Sequence, residues 1–175
     1  WLTQKNMVAL ARPVDLLIAK FGEMVKENVP LAPYTSARIG GPADIFITVD
    51  SVAALARVVK YLWKNDMPFL VMGGGSNLLV SDKGARGVVV LNRAKKVTFH
   101  AGNQPSVSAE SGVVFSNLAN RCASKGFGGI EWAAAVPGTI GGAVYGNAGA
   151  FGGDVAGSLL STELLTETGR EKFSV

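Results

Sequence analysis

The chain has 175 residues, of which 48% are hydrophobic and 17% are charged, so it carries too much apolar material for a disordered protein. No apolar run reaches the roughly 20 residues that a membrane-spanning helix needs, which predicts a protein without a membrane partner. The net charge of +4 comes from scattered basic residues, a distribution that argues against nucleic acid as a partner and suits a small anionic ligand.

The amino terminus lacks the long apolar segment of a secretory signal, and one cysteine cannot form an intrachain disulfide, so we expect a cytoplasmic protein. Apolar residues recur at helical spacing over residues 13–27. They predict an amphipathic helix outside the main fold, within an N-terminal helical extension of residues 1–28. Three prolines and a glycine pair predict an extended loop over residues 28–42.

A strand, a helix and a second strand are predicted next. Residues 44–49 form a β-branched run, residues 51–65 carry apolar side chains on one helical face, and residues 69–72 are wholly apolar. This order predicts a βαβ unit with a buried parallel pair of strands. A further strand is expected over residues 87–91.

The turn GGGSN, residues 73–77, directly follows the second of these strands. Glycine-rich turns at the carboxyl ends of parallel strands bind phosphates, because their free backbone N–H groups surround an anion. Leu78 interrupts a GxGxxG pattern, and no Gly-Lys pair is present for a Walker A motif. The turn therefore matches neither a Rossmann nor a P-loop motif.

The sequence of the second part of the chain predicts a hairpin, then a helix, and later a second hairpin. Strands are expected over residues 96–100 and 106–110, a helix over 114–125, and a final hairpin from residues 158–166 and 172–175. The sequence stops inside that last predicted strand, so we expect the given chain to be part of a longer protein.

A glycine-rich segment of small apolar residues lies between that helix and the final hairpin, over residues 128–154. It is too apolar for a linker, and it predicts close approach of backbone to a ligand. Pro137-Gly138-Thr139 opens a predicted helical segment, whose exposed N–H groups suit an anion. The small residues that follow leave room for a planar ring.

Other chemistry-bearing residues favour structural roles. His100 has no metal-ligand partners at suitable spacing, so no metal site is predicted, and Cys122 lies on an apolar helix face, which favours packing over a nucleophilic role. Glu110 and Glu131 could form an acid–base pair, but a solvated carboxylate and a cap fit the sequence better.

Four motifs, in this order and spacing, resemble the FAD domain of the UDP-N-acetylenolpyruvoylglucosamine reductases, the MurB enzymes. They are Thr35 with RIGGPAD (38–44), GGGSNLLV (73–80), ESG (110–112) and VPGTIGGAVYGNAGAFGG (136–153). The resemblance covers residues 29–175. It implies an α+β fold, an FAD-binding PCMH-type domain of two small α/β subdomains, one containing the βαβ unit and one mixed or antiparallel. Their expected bounds are about 29–92 and 93–175, preceded by the helix.

The resemblance also implies non-covalent FAD, with its pyrophosphate on residues 73–77. The implied cofactor-binding residues are Thr35, Ile39, Gly73, Gly74, Gly75, Ser76, Asn77, Leu78, Ser111, Gly112, Val136, Pro137, Gly138, Thr139, Gly141, Gly142, Asn147, Ala148 and Gly149. Family members reduce UDP-N-acetylglucosamine enolpyruvate to UDP-N-acetylmuramate for peptidoglycan synthesis, with NADPH as reductant.

The family's catalytic residues find no match in this sequence. They are an Arg in a Tyr-Arg-x-Ser motif, a Ser and a Glu, all expected beyond Val175 in a C-terminal substrate domain, and Arg170 lies in TETGREK, which does not match the motif. We therefore expect these 175 residues alone to be inactive. A non-catalytic FAD-binding module, or another flavin oxidoreductase of the same superfamily, is the alternative.

Overall fold

A computed structural model describes residues 12–175, and its first half is built on a four-stranded sheet. The strands are β1 (Val25–Pro30), β2 (Pro42–Val49), β3 (Phe69–Met72) and β4 (Ala85–Asn92), in the order β1-β2-β4-β3. Strand β4 runs parallel to both β2 and β3, whereas β1 pairs antiparallel with β2. Three strands therefore place their carboxyl ends at one edge of the sheet.

Alternation along the central strands divides the apolar side chains between two faces. Helices α1 (Pro13–Phe21) and α2 (Val52–Lys64) cover one face, where Ile47 and Val90 are buried against them. The other face buries Phe46 and Val89. Ser51 caps α2 by accepting a hydrogen bond from the N–H of Ala54, as its position before the helix predicts.

The predicted N-terminal helix is present, but it is shorter than expected and belongs to the core. It ends at Phe21, because Gly22 takes a positive φ of 59° and a 3-10 turn follows. Residues 25–30, predicted as helix and loop, instead form strand β1. Val14 and Leu17 are buried with the sheet, so the expectation of a helix outside the fold is wrong. Residues 1–11 of the predicted extension lie outside the described residues.

The predicted βαβ unit is confirmed in its elements and in their parallel direction. Its two strands are not neighbours, because β4 lies between β2 and β3. Strand β3 is consequently an edge strand whose Leu70 and Val71 are partly exposed, and only β2 and β4 have the burial expected of a central parallel pair. Short apolar runs give no information on which strand of a sheet lies inside.

The second half contains short elements around two smaller cores. Strands β5 (Val97–His100) and β6 (Ser106–Ala109) pair antiparallel, and helix α3 (Phe115–Ala123) packs against them. These confirm the predicted hairpin and helix, although the helix ends two residues earlier. The remaining elements are α4 (Ile140–Tyr145), β7 (Gly149–Ala150), β8 (Gly153–Asp154), α5 (Val155–Ser158), β9 (Ser161–Leu165) and β10 (Arg170–Ser174).

Strands β9 and β10 pair antiparallel and confirm the final predicted hairpin. The helical segment predicted after Pro137-Gly138-Thr139 is also confirmed, as α4. The α+β class is confirmed, while the subdomain bounds near residue 92 stay a prediction. Over residues 12–175, no helix has both the length and the apolar character needed to span a bilayer.

Replacement of Leu17 by Ala tests whether α1 is part of the core. Leu17 has an exposed fraction of 0%, so Leu17→Ala should lower the free energy of unfolding by about 2–5 kcal/mol in a urea titration. Leu16 on the same helix is 42% exposed, and Leu16→Ala should change that free energy by about 0.5 kcal/mol. Equal losses in the two variants would contradict the packing of α1 on the sheet.

Candidate functional site

The glycine turn after β3 is in tight contact with two other backbone segments. A Cβ on Gly75 would overlap the carbonyl oxygen of Tyr34, and Gly75 also has a positive φ of 64°. A Cβ on Gly73 would overlap the Oγ1 atom of Thr139. The turn therefore joins the loop before β2 to the glycine-rich segment of the second half, and only glycine fits at these two positions.

Most backbone donors of this turn are free. The N–H groups of Gly74, Gly75, Ser76 and Asn77 donate no hydrogen bond to any residue in 12–175. Gly75 is buried and Ser76 is half-buried, whereas Gly74 and Asn77 are exposed. A run of backbone N–H groups without protein partners can form an anion-binding concavity. This is the property that the sequence predicted for the turn.

Thr35 fixes the loop that faces the turn. Its side chain is 3% exposed and its hydroxyl donates a 2.9 Å hydrogen bond to the carbonyl oxygen of Ile39. The next residue, Ser36, donates its N–H to the carbonyl oxygen of Gly75 at 3.2 Å. Thr35 is thus a structural residue of the loop, whereas the side chain of Ile39 is 47% exposed and available for contact.

Ser111 and Gly112 connect the end of the sheet to the second half. The Nδ2 atom of Asn92 donates to the Ser111 hydroxyl at 2.8 Å, and Asn92 Oδ1 accepts from the N–H of Ala94 at 3.0 Å. A Cβ on Gly112 would lie 2.6 Å from the carbonyl oxygen of Ala94. The buried Asn92 is a residue that the sequence prediction missed, since a polar residue at a strand end gives no distinct signal.

The start of α4 completes the contact with the glycine turn. Gly141 donates its N–H to the carbonyl oxygen of Ser111 at 2.8 Å, and Gly138 accepts from the N–H of Phe115 at 3.0 Å. Gly74 would place a Cβ 3.1 Å from the Cα of Gly138. Predicted site residues from both halves therefore lie together at the turn, Ser111 and the start of α4.

Several predicted residues lie elsewhere or face inwards. Asn147 Oδ1 accepts from the N–H of Ala156, and the carbonyl oxygen of Ala148 accepts from Val155, so both contact α5. Gly149 pairs with Asp154 in the β7–β8 ladder, and Leu78 packs against the core beside Met72. Val136, Pro137 and Gly142 are neighbours of Gly138 and Gly141 along the chain, and their ligand role stays a prediction.

Two neighbouring pockets open beside this cluster. The first has a volume of about 370 Å³ and is lined by residues 33–36, Arg38, Gly73, Gly74 and Arg93. The second has a volume of about 420 Å³ and is lined by Arg93, Lys95, residues 112–114, Asn117 and Arg121. Both linings carry positive charge and no carboxylate, so both favour an anion.

The two carboxylates considered as an acid–base pair do not form one. The Oε2 atom of Glu110 accepts from the N–H of Lys96 at 2.9 Å, and that of Glu131 accepts from the N–H of Gly129 at 2.8 Å. Each holds a separate backbone segment. The structural roles preferred from the sequence fit these contacts.

His100 and Cys122 also have structural surroundings. His100 Nε2 lies 2.9 Å from the Ser108 hydroxyl across the β5–β6 hairpin. Burial raises the pKa of the Cys122 thiol, and the nearby charge of Arg121 only partly opposes the increase. Neither residue lines the two pockets. Within residues 12–175, no group of three His, Cys, Asp or Glu side chains could hold a metal ion.

A family profile described as an FAD binding domain matches residues 43–172. The chain is similar to the UDP-N-acetylenolpyruvoylglucosamine reductase of Clostridium novyi, with 40% identity over 149 residues, covering 85% of this chain and 48% of the relative. The reductase of the same name from Bacillus velezensis is 44% identical over 146 residues, covering 83% and 48%. The chain thus spans about half the length of the curated relatives it matches.

Solved structures agree on the fold. The crystal structure of UDP-N-acetylenolpyruvylglucosamine reductase (MurB) from Thermus caldophilus has a TM-score of 0.68 and 28% identity, covering 85% of this chain and 52% of that one. An alkyldihydroxyacetonephosphate synthase also has a TM-score of 0.68, at 18% identity, covering 93% of this chain and 34% of that chain. The second likeness is one of fold alone.

Replacement of Gly73 by Ala tests the contact between the two halves. The new methyl group would overlap Thr139, so the turn and the start of α4 would have to separate, and Gly73→Ala should cost about 1–3 kcal/mol of unfolding free energy. Gly146→Ala is the control, because its Cβ would meet only the Gly142 carbonyl oxygen at 3.5 Å. Indistinguishable urea midpoints for the two variants would contradict the close approach.

Proposed function

This chain belongs to the FAD binding domain family, and we propose that it forms the flavin-binding part of a UDP-N-acetylenolpyruvoylglucosamine reductase. The observation that carries the proposal is the glycine turn of residues 73–77. The N–H groups of residues 74–77 have no protein partner among residues 12–175, the turn packs against the start of α4, and Gly73 and Gly74 line a pocket with two arginines. The family match supplies the identity of the ligand, and this turn supplies a site for its diphosphate.

The described residues fit such a cofactor. Gly73 brings the turn close to the Thr139 side chain and Gly75 brings it close to the Tyr34 carbonyl, and the amides of residues 74–77 are free to bind phosphate oxygens. When bound, FAD supplies the two-electron redox chemistry. This chain's own residues would bind and orient the cofactor, and the low carboxylate content of the pocket linings avoids repulsion of its phosphates.

The proposed cofactor-binding residues keep the set implied by the sequence resemblance. Support is strongest for Gly73 to Asn77, Ser111, Gly112, Gly138, Thr139 and Gly141, which lie together. Ile39 offers an exposed apolar side chain on the loop before β2. Asn147, Ala148 and Gly149 remain proposed through the resemblance only, since their contacts are to α5 and β8.

The reaction proposed for the whole protein is the one in the relatives' name. NADPH and a proton would reduce UDP-N-acetylglucosamine enolpyruvate to UDP-N-acetylmuramate and NADP⁺, which balances two electrons and two hydrogens across the enolpyruvyl double bond. The whole protein would act in the cytoplasm, and its product would serve peptidoglycan synthesis. No residue of this chain is proposed as a catalytic acid, because Glu110 and Glu131 bind backbone N–H groups outside both pockets.

Flavin titration tests the cofactor assignment. Adding the purified protein to FAD should change flavin fluorescence saturably, and acid precipitation should release all the flavin, because neither His100 nor Cys122 lines a pocket where it could attach covalently. Absence of saturable binding would contradict the proposed function. Flavin that stays with the acid pellet would instead favour a covalent flavoprotein of the same superfamily.

Turnover distinguishes a reductase from a non-catalytic module. The 175 residues alone should oxidise NADPH slowly and independently of the UDP-sugar enolpyruvate. Coexpression with the remaining half of a 40% identical relative should restore oxidation that depends on that substrate. If the mixture binds FAD but never shows substrate-dependent oxidation, a flavin-binding module is the better description.

A further inference from the structure

Arg93 occupies a distinctive position at the carboxyl edge of the sheet. It is the first residue after β4, and its N–H donates a 2.7 Å hydrogen bond to the carbonyl oxygen of Val49 at the end of β2. On the other side of β4, Met72 pairs with Leu91 immediately before the glycine turn. The backbone of Arg93 is therefore fixed between the ends of two parallel strands.

The side chain of Arg93 has no partner within the part of the chain that the structure describes. It takes part in none of the side-chain hydrogen bonds or ion pairs among residues 12–175, whereas Arg86 is paired with Asp44 at 2.7 Å. Arg93 is also the one residue that lines both described pockets. An unpaired guanidinium beside free glycine amides is available to an anion.

We propose that Arg93 is the main cationic ligand of the cofactor's diphosphate, an inference that rests on the proposed function. Its planar guanidinium donates in a fork that matches phosphate oxygens, and the fixed backbone directs it towards the turn of residues 73–77. The glycine amides and the guanidinium would then neutralise the diphosphate from two sides. None of the four family motifs contains Arg93.

Other cations near the pockets are less well placed. The guanidinium of Arg121 lies 5.6 Å from the centre of the Phe99 ring, where it makes a cation–π contact. Arg121 also lines only the second pocket. Lys95 likewise lines only the second pocket. Arg38 shares the first pocket with the glycine turn and is also without a side-chain partner among residues 12–175, but it does not line the second pocket.

Affinity measurements on three variants test this assignment. Arg93→Ala should weaken FAD binding by about 10- to 100-fold, as expected for loss of a charge-assisted hydrogen bond, and Arg93→Lys should recover part of the loss. Lys96→Ala, which removes a positive charge three residues away, from a side chain that lines neither pocket, should stay within about threefold of the unchanged protein. Dissociation constants would come from flavin fluorescence, at two salt concentrations.

A second measurement separates diphosphate binding from flavin binding. ADP alone should raise the melting temperature of the unchanged protein and of Lys96→Ala, but not that of Arg93→Ala. If Arg93→Ala is poorly folded without ligand, Arg93→Met keeps a long unbranched side chain and removes the charge and the N–H donors. Circular dichroism of the ligand-free variants checks the fold.

The outcomes are distinguishable. If the unchanged protein binds no FAD, both the proposed function and this inference are wrong. If it binds FAD, but Arg93→Ala and Arg93→Met bind within threefold of it, only the role of Arg93 is overturned. Equal losses in Arg93→Ala and Lys96→Ala would also overturn it, since they would indicate a general effect of positive charge. A larger loss in Arg38→Ala than in Arg93→Ala would assign the role to Arg38.

Discussion

The structure depends on the close approach of three backbone segments around the glycine turn. The turn at Gly73 and Gly75 contacts the loop at Tyr34 on one side and Thr139 on the other, with no room for a Cβ at either glycine. The Gly75 contact is with the main chain of Tyr34, and the Gly73 contact is with the short side chain of the buried Thr139, so both limit the movement of the segments. The same arrangement leaves the neighbouring amides without protein partners, so the constraint that joins the halves also creates the candidate site.

The two halves are held together by polar contacts rather than by a shared apolar core. In the part of the chain that the structure describes, two buried clusters draw on residues 14–91 and two others on residues 97–159. Between them lie directional contacts such as the hydrogen bond from Asn92 to Ser111. A ligand that contacts both halves adds to their cohesion, since ligand binding stabilises the folded state by mass action. The site at the glycine turn can thus bind a ligand and, when the ligand is bound, stabilise the folded state.

Local pattern was enough to predict most elements. The strand, helix and strand around α2, the β5–β6 hairpin and the start of α4 follow from periodicity, capping and turn chemistry. Strand β1 could not be predicted, because residues 25–30 owe their extended form to pairing with β2 over a long loop. The insertion of β4 between β2 and β3 is equally a long-range pairing. The glycine turn was predictable from its sequence, whereas the roles of Asn92 in the connection and Arg93 in the pockets depend on tertiary placement.

Strand order explains why Arg93 has its position. Val49 pairs with Asn92 and Met72 pairs with Leu91, so both parallel neighbours of β4 end within two residues of Arg93. Had β2 and β3 been adjacent, as the βαβ pattern predicts, the same arginine would follow a strand at the side of the sheet. With β4 in the centre, Arg93 emerges at the edge where both neighbours end and the glycine turn begins. One unpredicted strand insertion therefore brings a charged side chain to a backbone anion site that the sequence already indicated.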